Sequence, residues 1–489
     1  MKWTKEAEQM LGKAPGFVRK MLVKQAESEA KEKKIQEIDA TFLVTLMKAS
    51  EGHAARGFPA PKETGDPLRA AFDRKFGIHA GMSDGEEFDG DLSVRFFQAL
   101  EENQKVDEPA MAYIHIPFCC TRCLFCGFYS EPTAPAAMAT YSEALEKDIA
   151  LSGAALKKTG RKLSAVYFGG GTPTDLSADE LSMLVTVVRR ELPLTNDCEI
   201  TIEGRLYDFG DEKVKAVLTA GANRFSFGVQ SFDTEIRQRM GRKLPREELI
   251  ERLNRIVELS EPYRAAVVID LIYGLPGQGE KEWIDSIDCA VNETTIHGLD
   301  LYQINLIPST PLAKQKDQLP PMADLREQAT LFSKGRKRMM EYGFRRLSTA
   351  HWGRDNREQN RYNLWSKREV DCLPLGAGAG GRWGNVRFFQ QSDVTQFKNI
   401  VFEDRKPIAS ASRIPSFEKP TAIAIGQLEQ QFLDLQTLEN AEAFRPMLEQ
   451  WETAGLIKLG EPCRLTEAGE FWVLNLQQLI SSKIKKQQK

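Results

Sequence analysis

Residues 111–130 read MAYIHIPFCCTRCLFCGFYS. The run Tyr113-Ile114-His115-Ile116 is rich in aromatic and β-branched side chains and predicts a short strand that ends at Pro117. Thiols follow at Cys119, Cys123 and Cys126, a Cys-x3-Cys-x2-Cys spacing. Such a loop can wrap an iron–sulfur cube, each thiolate holding one iron. No fourth protein ligand is visible nearby, which would leave one iron open to a small molecule. Cys120 follows Cys119 directly and could replace it in a Cys-x2-Cys-x2-Cys register, so the sequence leaves the register open. The competing reading is a structural zinc knuckle, but zinc takes four closed ligands, usually as two pairs. Cys198, Cys289, Cys372 and Cys463 are scattered singly. Disulfides fare worse, because nothing marks the chain as secreted. The cluster reading is therefore preferred.

At 489 residues the chain exceeds one ordinary domain, and about two to four are expected. Its 42% hydrophobic and 28% charged content suits a globular protein with an ample core. Sixty-six basic against 69 acidic residues leave a net charge of −3, no reason to expect nucleic acid or a membrane surface as partner. The opening MKWTKEAEQM lacks a signal peptide's apolar centre, and no apolar run nears the ~20 residues of a membrane span. Clustered thiols suit a reducing compartment, so the expected location is cytoplasmic.

The expected organisation runs as follows. Residues 1–50 form a small helical domain: Thr4 caps a helix carrying Glu6 and Glu8 in its first turn, Pro15 opens a second through Phe17, Val18, Met21 and Leu22, and 41–47 make a third. Residues 51–106 are a linker and extension, with Ala70, Phe72 and Phe76 at helical spacing. Across 107–310, apolar runs at 111–116, 165–168, 199–203, 224–228, 267–272 and 300–306 alternate with amphipathic stretches. Six strand–helix repeats predict an α/β fold whose parallel strands curl into a partial (β/α)6 barrel. Chemistry in such barrels gathers at the carboxyl ends of the strands, where the cysteine loop lies. A post-barrel, substrate-covering region (311–400), a winged-helix-like α+β domain (401–480) and a solvated basic tail (481–489) complete the chain.

The segments after each strand carry the other motifs. Gly169-Gly170-Gly171-Thr172-Pro173-Thr174 lets backbone approach a ligand and offers amide donors, although a glycine triplet alone is most often a turn. Glu203 ends the third strand, placed for a ribose diol or an ammonium group. The fourth runs into Gly228-Val229-Gln230-Ser231-Phe232. Asp270 sits in an apolar run, costly unless paired, and Arg242 or a bound cation could pair with it.

Together, the cysteine motif, GGGTPT, Gly-Val-Gln-Ser and Asp-Leu-Ile-Tyr-Gly-Leu-Pro resemble the radical S-adenosylmethionine (SAM) superfamily over roughly residues 107–480, and within it the coproporphyrinogen-dehydrogenase-like branch. The resemblance implies a [4Fe-4S] cluster on Cys119, Cys123 and Cys126, whose open iron binds SAM and cleaves it to methionine and a 5′-deoxyadenosyl radical. It implies that Tyr113, Gly170 and Glu203 contact that SAM. Phe125, Gly171, Thr172, Gln230, Arg242 and Asp270, with Asn305 a looser match, would contact a second. A flavodoxin- or ferredoxin-type protein would donate electrons.

Two departures point further. Phe128 stands where the coproporphyrinogen enzyme has another cysteine, and Gly204-Arg205-Leu206 replaces its usual continuation after Glu203. With Asp66-Pro67-Leu68, His79-Ala80-Gly81 and the CGFYS turn, these resemble the radical SAM methyltransferases that open haem anaerobically, the anaerobilin synthase family. Trp3-Thr4-x-Glu6-Ala7 and Pro15-Gly16-Phe17-Val18-Arg19 resemble the small C-terminal domain of light-independent protochlorophyllide reductase, again a tetrapyrrole enzyme. The implied function is methylation and opening of haem, with release of iron and a linear tetrapyrrole. Alternatives are oxygen-independent coproporphyrinogen III dehydrogenase and a haem-binding chaperone. His351 is the candidate iron ligand or proton donor, a buried structural histidine being the other reading. Arg361 and Arg382 are candidates for haem propionates, and His79 for a minor haem contact.

Overall fold

Six strands lie side by side in chain order, each parallel to the next: β1 (Ala110–Ile116), β2 (Leu163–Gly170), β3 (Leu194–Gly204), β4 (Arg224–Gln230), β5 (Ala266–Tyr273) and β6 (Gly298–Gln303). The computed structural model describes all residues except 13–22, 24, 25, 28, 32, 34, 46–57, 78–84, 105, 106, 128–130, 309 and 489. Side chains alternate across a strand with period two. Ile114, Phe168, Ile202, Phe225, Phe227, Ile269 and Leu271 therefore share one face and bury against the crossover helices, where Leu145, Leu184, Val214, Leu253 and Trp283 meet them. Tyr113, Tyr167, Glu203, Arg224, Asp270 and Asp300 occupy the other parity and line the barrel interior. The helices start where their caps dictate. Ser177 and Glu180, for example, form a reciprocal capping box for Ala178–Glu191, which follows the glycine triplet after a short 3-10 turn at Pro173–Asp175.

All six expected strands are present, but the last stops at Gln303, so Asn305 lies in the loop beyond it. The chain after the barrel extends the same sheet at both ends, and its last sheet strand lies past residue 400, in the stretch expected to open the C-terminal domain. Beyond β6 come β7 (Arg345–Arg346) and β8 (His351–Gly353); beyond β1 come β9 (Asp371–Leu375), β10 (Gly380–Trp383), β11 (Val386–Gln390) and β12 (Ile408–Arg413). The order of the twelve strands is β7-β8-β6-β5-β4-β3-β2-β1-β9-β10-β11-β12.

The C-terminal helices and a three-stranded sheet of Phe432–Leu433, Cys463–Leu465 and Ile457–Lys458 give the expected winged-helix-like arrangement. The basic tail is a correction: the last helix runs from Val473 to Gln487, because Ile480 and Ile484, one turn apart, both bury against the core.

The N-terminal unit is not purely helical. Lys2–Trp3 pairs in parallel with Glu37–Ile38, and the helix Lys5–Gly12 follows Thr4, whose hydroxyl accepts from Ala7 N at 3.2 Å as expected. Leu11, Ala26, Ala30, Ile38 and Leu43 make its own small core. The helix expected through Phe17–Leu22, Met47, His79 and Phe128 all lie outside the described residues. In the extension Pro67–Ala70 and Leu92–Glu102 are helical, while Phe72 and Phe76, expected at helical spacing with Ala70, lie beyond the first of them. The extension is strapped to the start of the last helix: Trp472 Nε1, at its N-cap, donates to Pro67 O (2.9 Å) and Asn475 Nδ2 to Arg74 O (2.9 Å). Among the described residues no helix is long and apolar enough to cross a membrane.

Candidate active site

The cysteine loop leaves β1 and crosses the carboxyl end of the barrel. Leu124 O accepts from Leu312 N (2.9 Å) past β6, and Leu124 and Phe125 pack on Ile236, Ile272 and Ile304. Cys119 and Cys123 are buried and Cys120 is exposed, so the first thiol turned inward is that of Cys119. Its Sγ lies 3.2 Å from Thr172 Oγ1. Arg205, at the end of β3, clamps the loop by donating from Nη2 to Thr121 O (2.7 Å) and from Nη1 to Thr121 Oγ1. Cys120 is held outward, its amide donating to Asp175 Oδ2 at 2.6 Å.

The glycine triplet is packed so closely that side chains have no room. A Cβ on Gly171 would come within 2.4 Å of Phe118 O, one on Gly170 within 2.6 Å of the His115 ring, and one on Gly169 within 2.8 Å of Glu203 Oε2. Gly170 also has φ +109°, a conformation glycine tolerates. Gly171 N donates to Ile116 O (2.7 Å) and Thr172 N to Phe118 O (2.8 Å), so the triplet shapes the cysteine loop directly. Tyr113 OH and His115 Nδ1 lie 3.1 Å apart beside it.

Burial dominates the electrostatics here. It pushes the Cys119 thiol up to about 11, against the Thr172 hydrogen bond and the Arg205 charge. It lifts Glu203 to about 7, against a Tyr167 hydrogen bond and the Arg242 and Arg224 charges. It lowers His115 to about 4. Asp270 is raised well above the carboxylate range by burial, with Asp300 and Glu203 adding to the rise. The expected Arg242–Asp270 pair does not form among the described residues. Instead Arg242 lies by Gln230 and over the Phe125 ring, 6.0 Å from its centroid. Gln230 has φ +73°, and its Oε1, like Arg242 Nε, is buried without a partner. Strained backbone and unsatisfied polar atoms at one place are features of ligand sites.

The donor set fits an iron–sulfur cube. Three thiols share one loop, a hydroxyl and a guanidinium approach them, and a thiol held protonated by burial becomes a thiolate when metal takes the proton's place. Among the described residues no three His, Cys, Asp or Glu side chains converge on a single-ion site.

Beside the loop, past the end of β6, a cavity of about 350 Å³ opens between barrel, extension and C-terminal domain. Asn305 lines it and donates from Nδ2 to Gly77 O (2.8 Å), placing it on the extension rather than among the glycines.

The opposite end of the barrel is closed by the post-barrel segment. Tyr362 stacks on Tyr167, centroids 4.5 Å apart. His351 is fully buried, with Nδ1 2.7 Å from Asp300 Oδ2 and Nε2 3.0 Å from Glu358 Oε1. Arg224 Nε donates to both Glu358 oxygens (3.1 and 3.0 Å). Burial would lower His351, but Asp300 and Glu358 hold it at about 9. Burial would raise Glu358, but Arg224 and His351 bring it to about 2. His351 is therefore corrected from candidate iron ligand to buried ion-pair residue, since neither ring nitrogen is free. Arg361 and Arg382 are corrected likewise: Arg361 pairs with Asp197 (2.8 Å) at the start of β3, and Arg382 with Glu369 (2.5 Å). The partners of His351 stand at 224, 300 and 358, which no local motif links. Arg205 stood out in the sequence only as a departure.

The family model for the Radical SAM superfamily matches residues 113–290, and that for the proto-chlorophyllide reductase 57 kD subunit matches residues 3–45. Anaerobilin synthase of Escherichia coli O157:H7 is 37% identical over 383 residues, 76% of this chain and 84% of its own length. Heme chaperone HemW of Bacillus subtilis is 28% identical over 316 residues, 63% of this chain and 80% of its own. The structure of coproporphyrinogen III oxidase (HemN) from Escherichia coli shares the fold, with a TM-score of 0.69 at 21% identity, covering 83% of this chain and 97% of that one. The chain belongs to the radical SAM superfamily, whose members bind a [4Fe-4S] cluster and SAM. Within it, the similarity to anaerobilin synthase spans most of both chains.

Proposed function

We propose that this chain methylates and opens haem without oxygen, releasing iron and a linear tetrapyrrole. The observation that carries the reading is the 37% identity to anaerobilin synthase across 84% of that protein. When bound, the cluster supplies the electron that splits SAM and starts radical chemistry at the substrate. Cys119, Cys123 and Cys126 would hold it, and Thr172, the glycine triplet and Arg205 keep their loop in place. Tyr113, Gly170 and Glu203 would receive SAM, and Gln230 and Arg242, whose Oε1 and Nε are buried without partners, would contact a second SAM molecule with Phe125, Gly171, Thr172 and Asp270. The cavity past β6, whose lining residue Ile304 packs with Leu124 and Phe125 of the cysteine loop, would take the tetrapyrrole. We further assign the enzyme to the cytoplasm, with a flavodoxin- or ferredoxin-type electron donor.

The test is an anaerobic incubation of the reconstituted protein with haem, SAM and a reductant. A methylated linear tetrapyrrole, 5′-deoxyadenosine and free iron are expected; an unchanged Soret band without 5′-deoxyadenosine removes the reading. The similarity to HemW keeps a haem-carrier reading in play, which stoichiometric haem transfer without SAM consumption would favour. Conversion of coproporphyrinogen III under the same conditions would favour the dehydrogenase.

A further inference from the structure

The cavity beside β6 holds one cation whose partners do not neutralise it. Lys75, from the extension, reaches in past Phe76 and Gly77 and donates from Nζ to Gln303 Oε1, a neutral amide. The ammonium sits 3.8 Å from the centroid of the Phe471 ring, contributed by the C-terminal domain. Among the described residues it forms no ion pair. The other charges facing the cavity are already matched. Lys367 pairs with Glu429 at 2.9 Å, and Glu470 pairs with Arg336 at 2.6 Å and with Arg346. Tyr273 and Tyr302 complete the titratable lining.

We infer that Lys75 is the anchor for a carboxylate of the substrate, so that a tetrapyrrole enters the cavity with one propionate turned toward the extension and its ring edge toward the cysteine loop. The inference rests on the haem reading above and says where and by what group haem is gripped.

An ammonium in such a place needs an anion or water, and three features of its surroundings support the first. Gln303 orients the nitrogen without cancelling its charge. Phe471 offers a ring face, which attracts a cation but leaves its outward hydrogens free. Tyr302, Leu301, Phe332 and Leu474 contribute apolar lining for a macrocycle, in a volume near the lower end of ordinary small-molecule sites, about 300–1,000 Å³. The substitutes that charge alone suggests, Arg361 and Arg382, are consumed in ion pairs. Burial also lowers Lys75 to about 7. The free site is thus charged below that pH and loses its charge above it, whereas a bound carboxylate would restore the proton.

The test is equilibrium binding of iron(III) protoporphyrin IX and of its dimethyl ester to the full chain, without SAM or reductant, for wild type, Lys75→Gln and Lys75→Arg. A lost charge-assisted contact corresponds to about 10- to 100-fold, and haem should bind Lys75→Gln weaker by that factor. Lys75→Arg should retain most of the affinity, and the ester should bind wild type and Lys75→Gln alike. Wild-type affinity for haem should fall between pH 6 and 9, while that of Lys75→Arg stays level. Equal affinity of haem and its ester for the wild type overturns the inference, independently of whether any variant folds. Equal binding of haem by wild type and a folded Lys75→Gln overturns it too. If the wild type binds neither porphyrin, the haem reading itself fails and the anchor falls with it.

Discussion

Two polar clusters share the interior of one barrel, and they are built on different rules. At the floor, Arg224, Glu358, His351 and Asp300 form a chain in which each carboxylate or ring nitrogen is spoken for, leaving only the Arg224 Nη atoms unmatched. At the mouth, Glu203 and Asp270 are pushed toward the neutral form, Gln230 is strained, and Gln230 and Arg242 carry buried atoms without partners. Both clusters cost desolvation. The floor recovers much of it through its own ion pairs; the mouth, which has none among the described residues, would recover it from something that binds. Floor residues should therefore matter to stability, and mouth residues to ligand affinity.

The largest effect should come from the thiols. Replacing Cys119, Cys123 or Cys126 by Ala should abolish iron–sulfur absorbance and SAM cleavage, while Cys120→Ala, whose side chain faces out, should keep both. Loss of the brown colour in the Cys120 variant instead would shift the ligand register.

At the floor, Glu358→Gln leaves Arg224 buried without its ion-pair partner, and His351 with Asp300 alone, and should destabilise by about 3–5 kcal/mol, read from denaturant midpoints. A normal midpoint would mean that this network does not hold the barrel shut. The same network has a pH signature that is smaller, because its contacts stay in place. His351 is raised from its ordinary 6.5 to about 9, so its contribution is complete below pH 6.5 and lost as pH rises through 9. Glu358 is lowered from 4.5 to about 2, so its contribution is complete above pH 4.5 and lost as pH falls through 2. Thermal midpoints should therefore decline above neutrality, and His351→Gln should flatten that limb.

Gly171→Ala places a methyl against Phe118 O. Overpacking of this kind costs about 1–3 kcal/mol, and here it should appear as incomplete cluster loading, measured as iron per chain. The mildest change is Gln230→Gly. It relieves a left-handed side-chain-bearing residue worth about 1 kcal/mol, so stability should hold or rise, while SAM affinity drops about tenfold. A variant that lost stability and kept affinity would move Gln230 from mouth-like to floor-like chemistry.

Much of the mouth was legible in the sequence because its signals are local. The thiol spacing, the glycine triplet and an acid inside an apolar strand need no knowledge of distant partners, and the structure gathers Cys119, Gly170, Gly171, Thr172 and Glu203 together. Six strands could be read from apolar runs bounded by turns. The floor was not legible. His351 looks the same in sequence whether it faces iron or two carboxylates, and only the pairing of β8 against β6 brings Asp300 opposite it. Arg361 and Arg382 failed for the same reason, since a charge does not advertise its partner. β9 joins β1 across some 250 residues, which no periodicity encodes. Lys75 and Gln303 are likewise 228 positions apart.

The central claim is that the barrel mouth, and not its floor, is where cluster and SAM meet. Electron paramagnetic resonance of the reduced, reconstituted protein titrated with SAM tests it most directly. The cluster signal should change on adding SAM in wild type and in Glu358→Gln alike, and the change should need a higher SAM concentration in Gln230→Gly. A signal indifferent to SAM, or protein carrying stoichiometric zinc in place of iron and sulfide, would contradict it.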